Sequence, residues 1–155
     1  MPNEDSFALE RLVTAQAGVI DCVLGELRAG RKKSHWMWFV FPQIAGLRRS
    51  PTAVRYAITS LDEARAYLSH SVLGERLRDC PQLVLGVEGK SAHAIFGSPD
   101  ERKFHSSMTL FTLAAPSVTL FADALANCFG GRTDTAARAR LTSPPDSAMV
   151  AVAPG

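Results

Sequence analysis

Apolar side chains recur at steps of three and four along almost every segment of this chain, and that spacing commits it to helices. Leu9, Leu12, Val13, Gln16, Ile20, Val23, Leu24 and Leu27 form the longest stripe, which predicts an amphipathic helix from about Phe7 to Ala29. Asp5 or Ser6 can cap it, and Gly30 can close it in the left-handed conformation. Gln16 interrupts the stripe, so its amide either bonds a neighbouring backbone or points into a site.

The later helices announce themselves by their starts. Ser50-Pro51 is a cap followed by proline at the first helical position, leading a short helix through Ala53, Val54, Tyr56, Ala57 and Ile58. Ser60 and Glu63 make a capping box for a helix to about Ser69, with Leu61, Ala64 and Leu68 inward. A further helix begins near Ser71 and lines up Leu73, Leu77, Cys80, Val84 and Val87. Pro81 falls inside it and costs about 3 kcal/mol in a continuous helix, which predicts a kink or a restart. Ser91 caps a turn over Ala92–Phe96 that Gly97 stops. Ser98, with Pro99 at the first position and acids behind it, opens a helix carrying Phe104, Met108, Phe111 and Ala115 inward as far as Pro116. Ser117 caps the next, with Val118, Phe121, Ala122, Leu125, Cys128 and Phe129 in line and Gly130-Gly131 after it. Asp134 can cap a last helix to Leu141. From Thr142 the chain is Pro, Ser, Ala and Val without amphipathic pattern. The expectation is an all-α fold: one domain over residues 5–141, a compact irregular bundle of seven or eight helices, then a disordered tail over 142–155.

A chain of 155 residues buries roughly 68–70% of its unfolded surface and needs no staples. Its net charge of +2 makes no demand for nucleic acid, and no apolar run approaches the ~18 residues that span a bilayer. Cys22, Cys80 and Cys128 are odd in number, far apart and without metal-ligand spacing, which reads as reduced thiols in a cytoplasmic protein. The acidic start lacks the apolar core of a signal peptide. No metal and no cofactor is expected, and the oligomeric state is left open.

One stretch stands apart. Lys32 to Leu47 holds both tryptophans, Trp36 and Trp38, and two of the eight phenylalanines, Phe39 and Phe41, beside His35 and Gln43. Ser34 can cap a two-turn helix over His35–Phe41, which Pro42 ends by forcing Phe41 out of helical geometry. On such a helix His35 shares a face with Trp38 and Phe39, and Trp36 shares another with Val40.

The run from Ser34 to Leu47 resembles the signature of an uncharacterised family, the domain of unknown function 1810, sometimes labelled calpastatin. Blocks at Tyr56–Ile58, Asp62–Leu68, Val72–Gly74, Ile95–Gly97, Ser106–Phe111 and Phe129–Gly131 with Asp134 extend the likeness over about residues 5–141. Pro81 and Cys128 depart from the pattern, the latter where an aromatic is common. The resemblance implies a mainly helical domain and brings no activity with it. The calpastatin label belongs to long disordered chains, unlike this core-forming pattern. A weaker resemblance, in the order of features, is to the small YbiA-like domains associated with ADP-ribose and riboflavin-pathway chemistry. The Ser-Glu-His block of that group is unmatched, because Ser34-His35 lacks the intervening acid.

Several side chains could carry chemistry. His35 is, by residue type, the candidate acid or base. Trp36 and Trp38 can stack on a planar ring or anchor a core. Lys103, Ser106 and Ser107 share a helix side, where they can bind a phosphate or bond back to carbonyls a turn earlier. The expected arrangement is a pocket where Trp36, Trp38, Gln43, Lys103, Ser106 and Ser107 hold a small anionic, ring-bearing ligand, nucleotide or ADP-ribose-like. Two alternatives stand beside it. An N-glycosidase-type enzyme needs a carboxylate near His35, from Asp21, Glu26, Asp100 or Asp134. A protein-interaction module needs the aromatic stretch partly exposed.

Overall fold

The first amphipathic stripe folds as two helices, not one, in the computed structural model, which describes residues 7–142. Helix α1 spans Glu10–Ala17 and α2 spans Ile20–Ala29. Gly18, a poor helix former, ends α1, and Val19 leaves helical geometry at φ −127°. The break lets α1 reach the aromatic stretch while α2 lies along a later helix. The caps Asp5 and Ser6 lie outside the described residues. So does the expected tail, except Thr142, where the last helix ends.

The remaining elements are α3 (Met37–Val40), α4 (Pro51–Tyr56), α5 (Leu61–Ser69), α6 (Ser71–Leu85), α7 (Ala92–Phe96), α8 (Asp100–Ala114), α9 (Thr119–Phe129) and α10 (Thr135–Thr142). The described residues thus form an all-α fold of ten helices, against seven or eight expected, because the first divides and several are one or two turns long. None is long and apolar enough to cross a membrane. The only β-bridge among the described residues is an isolated parallel one between Ile44 and Ile58. Ile58 N–H donates to Gln43 O and Ala45 N–H to Ile58 O, each at 2.8 Å.

Most of the start signals act as expected. The hydroxyls of Ser50, Ser60 and Ser91 accept from the third backbone N–H after them. Asp134 does the same for Ala137. Gly30 and Gly130 close their helices left-handed. Four expectations need correcting. Ser34 does not cap the aromatic helix, which begins only after Trp36; its hydroxyl is taken by Glu26. Pro99 sits at the cap rather than the first position of α8, without a side-chain cap from Ser98, and Ser117 leaves the cap of α9 to Val118. Pro81 causes no restart: α6 runs unbroken from Ser71 to Leu85, held by packing against α1, α2, α5 and α9.

Helix α8 is the axis of the core, touching α3, α5, α7, α9 and α10. Neighbours on so many sides bury its polar Ser106, Ser107 and Thr109 along with Phe104, Met108, Leu110 and Phe111, and turn Ala114 inward in place of Ala115. Phe104 stacks on Phe96 at 4.7 Å and meets Phe41 edge-on at 4.9 Å, and Phe41 lies 6.1 Å from Trp36. These rings fasten the aromatic stretch to α7 and α8. At the α5–α6 junction a Cβ on Gly74 would meet the Leu68 carbonyl oxygen at 2.1 Å, so only glycine fits that crossing.

Candidate functional site

The aromatic stretch is set in place by one carboxylate on α2. Glu26 accepts from Lys33 N–H at 2.8 Å, Ser34 N–H at 3.1 Å and the Trp36 indole N–H at 2.9 Å, and also from the Ser34 hydroxyl. Partial burial pushes its pKa up, but these donors outweigh that and hold it at about 2. From the other side, the buried Gln16 amide donates to Phe39 O at 2.7 Å and to the Tyr67 hydroxyl at 2.8 Å, and accepts from Arg76. Burial drives the Tyr67 phenol well above its ordinary range, so the hydroxyl stays protonated. Gln16 therefore bonds a backbone carbonyl, the first of its two expected uses.

This frame points Trp36 inward and Trp38 outward. Trp36 is buried in the core, whereas Trp38 is half-buried. The Lys103 ammonium from α8 lies 4.1 Å above the Trp38 ring, and that of Lys32 lies 5.1 Å from the Trp36 ring. Asp100, in the first turn of α8, ties the two cations together: Lys32 Nζ to Oδ2 at 2.7 Å and Lys103 Nζ to Oδ1 at 3.1 Å. The lysine side chains are only 5% and 12% exposed, so this is a desolvated cluster carrying one excess positive charge.

Three concavities meet at Trp38. A small hollow of about 40 Å³ is lined by Lys32, His35, Trp36, Met37, Trp38, Asp100 and Lys103. An open groove of about 520 Å³ is lined by Trp38, Lys103 and Pro99 together with Leu47, Arg48, Arg49 and Ser50. A third, about 10 Å³, lies behind Trp38 and Arg48 and is bordered by Gln43, Gly46 and Tyr56. Gln43 is buried, and among the described residues neither its amide nitrogen nor its amide oxygen has a hydrogen-bond partner. Leaving such atoms unpaired costs about 1–3 kcal/mol.

Trp38 thus shares one hollow with His35, Trp36 and Lys103, the groove with Lys103, and the smallest space with Gln43. Ser106 and Ser107 lie elsewhere. Ser106 donates to Asp134 Oδ2 at 2.8 Å, linking α8 to α10, and the buried Ser107 hydroxyl has no partner among the described residues. Neither lines the concavities around Trp38. His35 is exposed at the mouth of the small hollow. Of the four carboxylates considered beside it, Asp100 alone lines that hollow, and both its oxygens already accept from lysines. The interaction-module alternative asked for a partly exposed aromatic stretch: Trp36 and Phe41 are buried, while Trp38 and Phe39 are half-buried. Arg48 and Arg49 line the groove, and Lys32 and Asp100 line the hollow beside it.

The family model described as "Protein of unknown function (DUF1810)" matches residues 6–141. No curated protein matches the chain. Among solved structures, the conserved hypothetical protein Rv1873 from Mycobacterium tuberculosis is 53% identical, with a TM-score of 0.87 over 88% of this chain and 98% of that one.

Proposed function

The protein belongs to the DUF1810 family, and from that premise we propose that the groove over Trp38 binds a small anionic ligand carrying a planar ring, of nucleotide or ADP-ribose-like chemistry. The observation that carries this reading is the pairing of a half-buried indole with an ammonium 4.1 Å from its ring, in a groove that Arg48 and Arg49 also line. The indole offers a stacking surface. Lys103, Arg48 and Arg49 offer positive charge to a phosphate within reach of that surface. The three unpaired thiols suit a cytoplasmic setting, where we place the protein.

A second reading, an N-glycosidase-type reaction, draws on Asp100 and His35 lining one hollow. It asks Asp100 to exchange a lysine for a substrate, so it ranks below simple binding.

The test is thermal melting against nucleoside phosphates, flavin-pathway intermediates and sugar phosphates. A ring-bearing phosphate at a hundred times its Kd should raise the melting temperature by roughly 5–10 °C. The rise should shrink with Trp38→Ala and with Lys103→Met, and ring-free sugar phosphates should give less. No shift with any compound, or a shift that both variants keep, removes the proposal.

A further inference from the structure

Among the described residues at the site, Gln43 is the one buried side chain whose donor and acceptor both lack a partner. Its backbone is held in place. Pro42 precedes it, its carbonyl accepts from Ile58 N–H at 2.8 Å, and the next residue, Ile44, forms the parallel bridge to Ile58. From this fixed backbone Gln43 lines a space bordered by Trp38 and Arg48, both of which also line the larger groove.

We propose that Gln43 is the specificity-determining residue of the Trp38 site, and that it selects planar rings whose edge places a hydrogen-bond donor beside an acceptor: a lactam or a primary carboxamide. This rests on the reading of the groove as a site for a ring-bearing anion. An amide carries one N–H donor face and one carbonyl acceptor, and its complement is another amide edge. The space beside Gln43, about 10 Å³, holds one or two polar atoms and no ring. The body of the ring must then stay over Trp38 and send only its edge toward Gln43, with its phosphate left among Lys103, Arg48 and Arg49. A ring without that edge leaves the Gln43 amide buried and unpaired. Sites built to pair a polar group reject analogues that lack it far more strongly than apolar pockets reject a missing methyl group.

The probes are three matched pairs: inosine 5′-monophosphate with its N1-methyl derivative, uridine 5′-monophosphate with its N3-methyl derivative, and nicotinamide mononucleotide with nicotinic acid mononucleotide. Calorimetric titration of the whole chain should show at least one pair in which the amide-bearing member binds tenfold or more tightly. Gln43→Leu should reduce that preference to less than twofold. The same variant should keep the helical circular dichroism of the parent and melt no lower, because it removes a buried polar group without a partner. Gln43→Glu, which keeps the shape and loses the donor, should also lose the preference. Equal binding within every pair, or a preference that survives Gln43→Leu, overturns the role of Gln43 while leaving a Trp38-dependent site intact. Failure of all six compounds to bind overturns it too. If the broader melting screen also shows nothing, the groove reading falls with it.

Discussion

Trp36 and Trp38 stand two residues apart on the same short stretch and have opposite fates. Trp36 is enclosed by Phe41 and its neighbours, its indole N–H paired with Glu26. Trp38 sits half in water under the Lys103 ammonium, at the meeting point of three concavities. Helix α3 has only four residues, so successive side chains fan out around a single turn. One ring then serves the core and the other is left for the surface. Residue type alone does not mark an aromatic as core or site; the direction fixed by Glu26 and Gln16 does.

The sharpest way to break this contrast is to truncate each ring. Trp36→Ala should cost about 3–5 kcal/mol in urea unfolding. Trp38→Ala should cost about 1 kcal/mol, as partly exposed positions do. Equal losses would mean that Trp38 is also a core anchor and that the site has been misjudged.

The next effect concerns the pin. Glu26→Gln keeps the shape and weakens four charge-assisted hydrogen bonds, for an expected loss of about 1.5–3 kcal/mol. The folded state holds Glu26 at about 2, below its ordinary 4.5. Its contribution is therefore complete above pH 4.5 and is lost as the pH falls toward 2. The gap between parent and variant in urea midpoints should accordingly be full at pH 7 and should narrow below pH 4. A gap that stays constant with pH would show that the carboxylate charge is not what holds the stretch.

The smallest effect is at the rim. His35 is exposed, so His35→Ala should change stability by no more than about 0.5 kcal/mol. Its influence on ring-phosphate binding, measured in the melting screen, separates a bystander from a participant. A stability loss near that of Glu26→Gln would instead place His35 in the frame.

Much of the helical plan was legible because its signals are local. Ser50, Ser60, Ser91 and Asp134 cap where the sequence puts them, since a cap needs only a hydroxyl or carboxylate and the N–H groups just after it. The misplaced boundaries are those where a distant partner competes for the same atom. Ser34 is claimed by Glu26 on another helix. Pro81 is carried through α6 by neighbours that its own segment does not mention. At the site, Trp38, Gln43 and Lys103 could be chosen from the sequence. Ser106 could not be told apart from them, because whether its hydroxyl faces a ligand or Asp134 depends on where α10 packs.

By itself, then, the sequence determined that this chain is helical, where most helices start, and which short stretch holds its unusual density of rings. Periodicity, capping and proline geometry act over a few residues and leave their mark in the order of the letters. Only the tertiary structure decided that α8 brings Asp100 and Lys103 beside Lys32 and Trp38. It also decided that Glu26 turns Trp36 inward, and that Gln43 is shut in without a partner among the described residues. Those outcomes depend on side chains tens of residues apart competing for the same space and the same hydrogen bonds, and no local pattern records which of them wins.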